Sequence, residues 1–158
     1  MRILNYLFYR ISSEYKYQEQ TLKNISSLFS FKINKDDLGN EFVVLSSVGE
    51  SNGDVLPYSV NNKTEYEAMI NHIHICERIS KEQMKEATLI ANSLIHGIYA
   101  TLKNTYPNRK FVVSATINEE DSFIIRFHQR WPNEPPYYDP KSFDFTNAML
   151  LIVQDEDC

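Results

Sequence analysis

The run "HIHICE" sets His72, His74 and Cys76 at alternate positions. On a strand, these three side chains share one face and offer imidazole and thiolate donors to a metal. On a helix, His72 and Cys76 stand one turn apart and His74 points elsewhere. A structural zinc site takes four ligands and a catalytic one three plus water. The other histidines, His96 and His128, have no ligand-like neighbours in sequence, so no metal is expected. Cys76 as a nucleophile would need a histidine poised in space, and its sequence spacings match no Cys–His motif. Gly39, Gly49, Gly53 and Gly97 are the only glycines, and they form no phosphate-cradling loop. The carboxylate pairs at Asp36/Asp37 and Glu119/Glu120/Asp121 fall in turn-like settings, whereas acid–base catalysis asks for burial. Neither a catalytic residue nor a cofactor is expected.

The stretch "SFIIRFHQRWPNEPPYYDP" (Ser122–Pro140) is richer. Read as a strand, its first half puts Arg126, His128 and Arg130 on one face, able to grip phosphates or a carboxylate-rich partner. The second half holds Trp131, the only tryptophan, then Pro132, Pro135 and Pro136, then Tyr137 and Tyr138. Prolines stiffen a loop and reduce the entropy lost on binding, and Trp, Tyr and Arg dominate protein–protein hot spots. Two readings stand side by side: a docking surface, and a loop folded back to close the core. Aromatic stacking beside arginines would also suit nucleic acid, but a formal net charge of -5 argues against a phosphate-binding field.

The elements that must position these residues follow from hydrophobic periodicity. With 158 residues and 42% apolar content, the chain reads as one globular domain, residues 1–158. Leu4, Phe8, Ile11, Tyr15, Leu22, Ile25 and Phe29 recur at helical steps. "EFVVLSSVGE" (Glu41–Glu50) follows a polar turn at Asp36–Asn40 and reads as a strand, "SNGD" as a turn, and Val55–Val60 as a proline-interrupted edge strand. In "TEYEAMINHIHICERIS", Thr64 and Glu67 have the spacing of a capping box, and Tyr66, Met69, Ile70, Ile73 and Ile79 favour a helix over the rival strand. Ser80 and Gln83 open a second helix through Met84, Ala87, Ala91, Leu94, Ile98 and Leu102, which ends at Tyr106-Pro107-Asn108. The period then changes to two. Phe111, Val113, Ala115 and Ile117 align on one strand; Phe123, Ile125 and Phe127 align on the next, opposite Ile124, Arg126, His128 and Arg130. Ala148–Val153 is a last apolar strand. The expected fold is α+β, an antiparallel sheet with a C-terminal hairpin packed against two to three helices.

The order of that C-terminal part, a short strand into a proline loop before a final apolar strand, resembles small α+β immunity proteins. These belong to bacterial polymorphic-toxin and contact-dependent growth inhibition systems. The resemblance implies a cytoplasmic, non-catalytic protein that binds one cognate toxin domain tightly. A basic nuclease would be the electrostatic complement of an acidic inhibitor. An Arg/His strand face does not fit that picture unless it lies away from the interface or meets acidic toxin residues. Two other classes remain open: a small enzyme, and a phage- or plasmid-type regulatory adaptor. Two cysteines make no disulfide framework, the N-terminus lacks the pattern of a signal peptide, and no run approaches a membrane span, all consistent with the cytoplasm. The expected partner-binding residues are Glu119, Glu120 and Asp121 for steering, with Arg126, His128, Arg130, Trp131, Tyr137 and Tyr138 for contact.

Overall fold

A computed structural model describes residues 29–46, 60–76, 79–118, 123–146 and 148–155. The expected N-terminal helix, the Val55–Val60 strand and the Glu119–Asp121 cluster fall outside the described residues, apart from Phe29 and Val60 at the margins.

The described chain is α+β. Strands β1 (Phe31–Lys35) and β2 (Glu41–Leu45) form an antiparallel two-stranded sheet. The Asp36 carboxylate shapes the turn between them. Its Oδ1 accepts from the Leu38 and Asn40 backbone N–H at 3.0 and 2.8 Å, and Gly39 takes the left-handed conformation at φ 79° that suits glycine. Helix α1 (Lys63–Ile70), strand β3 (His72–Cys76), helix α2 (Met84–Thr105) and strands β4 (Phe111–Asn118), β5 (Phe123–Gln129) and β6 (Ala148–Gln154) follow. The second sheet has the order β3-β5-β4-β6, with every neighbouring pair antiparallel.

The hairpin register bears out the period-two reading. Ile117, Ala115 and Val113 face Phe123, Ile125 and Phe127 across β4 and β5, and all six are buried. Ala87, Ala91, Ile95, Ile98 and Leu102 of α2 belong to the same core, the two alanines allowing close approach of helix to sheet. On the other face, Val112, Leu150 and Ile152 form a smaller cluster under Tyr138 and Phe143. A helix covers one side of the sheet, and the segment after β5 doubles back over the other.

Three local expectations are corrected. The Thr64–Ser80 stretch is not one helix: α1 stops at Ile70, and His72–Cys76 is an edge strand of the larger sheet, pairing Ile73 with Ile125. Pairing with β5 outweighs the helical spacing of isoleucines that suit both structures. The helix cap is Asn62, whose side chain accepts from the Glu65 N–H at 2.8 Å, so Thr64 and Glu67 form no capping box and are buried instead. Arg130 lies beyond the end of β5 and is exposed, so only Arg126 and His128 share the strand face. The second helix follows a 3-10 turn at Lys81–Gln83, where the Gln83 side chain accepts from the Ser80 N–H at 3.0 Å, one half of the expected capping box.

Ile125 lies at the centre of this core with no solvent exposure. An aspartate there would be an unpaired buried charge, and Ile125→Asp should cost about 4 kcal/mol or more in urea unfolding. A soluble variant of unchanged stability would show that the register is wrong.

Candidate functional site

The chemistry of the described chain gathers where β5 ends and the proline loop begins. Glu67 is fully buried in α1 and has no cation beside it among the described residues. Both of its oxygens are occupied by N–H donors. Oε1 accepts from the Val43 backbone at 2.7 Å and Gln129 Nε2 at 2.9 Å. Oε2 accepts from the Gln129 backbone at 2.6 Å and the Trp131 indole at 3.0 Å. Four donors around one carboxyl is the pattern of an ionised group. Burial nevertheless outweighs them, pushing the carboxyl up to about 7.

Gln129 extends the network. Its amide N–H also donates to the Glu41 carbonyl at 2.8 Å, and its Oε1 accepts from Arg109 at 2.7 Å. Arg109 in turn pairs with the Glu41 carboxylate. Above this network the Trp131 ring packs against Phe42, its centroid 5.4 Å away, and carries the Lys63 ammonium at 4.6 Å.

On the opposite strand face, His128 is buried, and both ring nitrogens are engaged. Nδ1 donates to the Gln129 carbonyl at 2.8 Å, which leaves Nε2 to accept from the Tyr137 backbone N–H at 3.4 Å. That arrangement is the neutral imidazole. Burial, chiefly, holds it below the usual histidine range, with Arg130 adding to the shift; the Gln129 carbonyl and Glu134 oppose it. Arg126 donates to the Tyr138 hydroxyl at 3.0 Å, and its guanidinium lies 5.6 and 6.0 Å from the Tyr137 and Tyr138 ring centres. Glu134 accepts from the Thr64 N–H at 2.7 Å, fastening the loop to the start of α1.

The contact residues expected from sequence divide between two places: Trp131 joins the Glu67 network, and Arg126 and His128 meet Tyr138 and Tyr137 on the opposite strand face. Trp131, Tyr138, His128 and Arg126 are held by bonds within the fold, whereas Pro132, Asn133, Pro135 and Pro136 are exposed and Tyr137 is partly so. Asp155, just past β6, faces inward. Burial pushes its carboxyl up, but the Phe111 N–H, Lys103 and Tyr99 hold it below the usual carboxylate range.

Glu67 escaped sequence reasoning because the cap-like spacing disguised it. Its one legible signal was an acidic residue among the apolar positions of α1. Two open cavities, of about 310 and 190 Å³, flank the molecule. Ile75, Cys76, Ile79, Ala87, Ile90 and Phe123 give the larger an apolar wall, and neither cavity is lined by Glu67 or His128. Among the described residues, no group of three His, Cys, Asp or Glu could hold a metal. None of the helices described is long and apolar enough to cross a membrane.

Gly49-Glu50-Ser51-Asn52-Gly53 has the spacing of a nucleophile elbow and lies outside the described residues.

Residues 5–158 match the model of the Uncharacterized protein PM0498 family, and the chain belongs to that family. No curated protein and no solved structure matches it.

Glu67→Gln should destabilise the protein by roughly 2–5 kcal/mol near pH 7, because the new amide N–H₂ would face two N–H donors. The pH dependence has a definite sign. A carboxyl raised from 4.5 to about 7 contributes stability fully present below pH 4.5 and lost as pH rises through 7. The gap between wild type and Glu67→Gln in urea unfolding should therefore narrow by roughly 2–3 kcal/mol between pH 4.5 and 7. A gap that widens with pH would mean the four donors outweigh burial.

Proposed function

We propose that this chain of the PM0498 family is a non-catalytic binding protein that grips one partner protein with the crest of its proline loop. The observation that carries this reading is the way the loop is held. Trp131, Glu134, Tyr137 and Tyr138 are each fastened to α1 or β5, and Tyr138 and Phe143 pack on the sheet. The crest of Pro132, Asn133, Pro135 and Pro136 is exposed above these fastenings. A surface already fixed in shape loses little entropy when it docks, which favours tight association over chemistry. The buried groups that could serve an enzyme, Glu67 and His128, spend their hydrogen-bonding capacity inside the fold.

For the partner, we take a toxin domain carrying positive charge, neutralised in the cytoplasm in the manner of bacterial contact-dependent growth inhibition. The net charge of -5 supports a basic partner, and the exposed Asp139 and Asp144 put carboxylates on the loop itself. The resemblance of the C-terminal third to immunity proteins supports the class.

Co-expression tests this. The protein should rescue cells from the toxin domain encoded beside it, and complex formation should slow as salt is added. Pro135→Gly with Tyr137→Ala should weaken binding by about 2 kcal/mol, whereas Trp131→Ala should lower stability as well, since Trp131 props Glu67. A neighbouring gene that encodes no toxin, or full rescue by the crest variant, overturns the function or the surface respectively.

A further inference from the structure

The smaller cavity lies beside the crest. Asn62, Thr64 and Glu65 from the start of α1 line it together with Pro135, Pro136 and Tyr137 from the loop, enclosing about 190 Å³. The prolines bring apolar surface and Asn62 and Thr64 bring polar groups, and Glu65 supplies the only charge among the lining residues. Both hydrogen bonds of that carboxylate, from the Asn61 N–H at 2.9 Å and Asn61 Nδ2 at 3.0 Å, end on Oε2. No cation pairs with it among the described residues. The neighbouring cations are engaged on rings: Lys63 over Trp131, and Arg126 against Tyr137 and Tyr138. Glu134, on the Thr64 N–H, adds a second carboxylate close by and satisfies the helix terminus that would otherwise attract an anion.

We infer that this cavity is a receptor for a single arginine or lysine side chain of a basic partner protein, with its stem along Pro135 and Pro136 and its cation at Glu65. The assignment rests on the binding role proposed above and names the chemistry its partner must present. Long cationic side chains bury their methylenes along apolar surface while the charged head seeks a carboxylate or the face of an aromatic ring. This cavity offers proline surface for the stem and, at Glu65, a carboxylate that pairs with no cation among the described residues, with Asn62 and Thr64 as polar neighbours. The prolines also carry no backbone N–H, so this wall presents the incoming cation with no competing backbone donors.

The probe is a blocked pentapeptide with one central arginine between glycines, titrated into the full-length protein and followed by amide chemical shifts. Its control is the same peptide with citrulline, which keeps the shape and loses the charge. The arginine peptide should bind at least tenfold more tightly than the citrulline peptide, with shifts confined to residues 61–65 and 134–137. Glu65→Gln should abolish that preference while retaining the bonds from Asn61 and the wild-type melting temperature. Equal binding of the two peptides, shifts centred elsewhere, or arginine selectivity that survives in Glu65→Gln would each overturn the assignment. Rescue by wild type in the co-expression assay, with no arginine selectivity in the titration, would sink the cavity and spare the binding function. Arginine selectivity without rescue would do the reverse.

Discussion

The carboxylate of Glu67 is where three parts of the chain meet. Strand β2 pairs with β1 on one side; on the other, its Val43 N–H donates to Glu67, with no strand beside it among the described residues. One helical turn on, Asn71 does the same work, accepting from the Leu45 N–H and donating to the Val43 carbonyl. Two side chains of α1 thus stand in for a neighbouring strand along β2. The Gln129 N–H at the end of β5 bonds to the same carboxylate, so one residue accepts a backbone N–H from a strand of each sheet. A buried carboxylate facing four donors is worth more than its bonds taken singly, because its loss leaves all four unsatisfied at once. The Trp131 indole is one of the four, which is how the proline loop takes its course from the core.

The part of this arrangement legible in sequence was the part governed by local period. Strands β4 and β5 alternate apolar and polar residues, so their register could be read from Phe111 to Phe127. Helix α2 announced itself by Ser80, Gln83 and a stripe from Met84 to Leu102. Strand β3 could not be read this way. Ile73 and Ile75 suit helix or strand, and what decides between them is pairing with β5, fifty residues away. Glu67 was hidden for a related reason. Its partners Val43, Gln129 and Trp131 lie 24 to 64 residues away, while Thr64 supplied a plausible local one.

The two buried titratable groups on either side of Gln129 respond oppositely to acid. Glu67, raised to about 7 from 4.5, favours the folded state increasingly as pH falls through that window. His128, lowered from 6.5, contributes stability that is present above pH 6.5 and lost as pH falls below it. Their windows overlap just below pH 6.5, where one gains as the other loses. The loop is fastened by both, through Trp131 and through the Tyr137 N–H. Both fastenings are N–H donors on the group that titrates, so protonation weakens each hydrogen bond, even though relief of the buried Glu67 charge favours the folded state as a whole.

Helix α1 shows how the same residue type serves stability and recognition two positions apart. A step of two residues turns a helix by about 200°, so Glu65 and Glu67 point to nearly opposite sides. Glu67 enters the core, where every lone pair is taken. Glu65 faces the cavity under the proline crest, with Oε1 unengaged among the described residues. The loop divides in the same manner. Trp131 and Tyr138, the side chains that hot-spot statistics favour most, are committed inward as supports. Recognition is left to the prolines they hold in place, to Tyr137, and to Glu65, whose Oε1 is unengaged among the described residues.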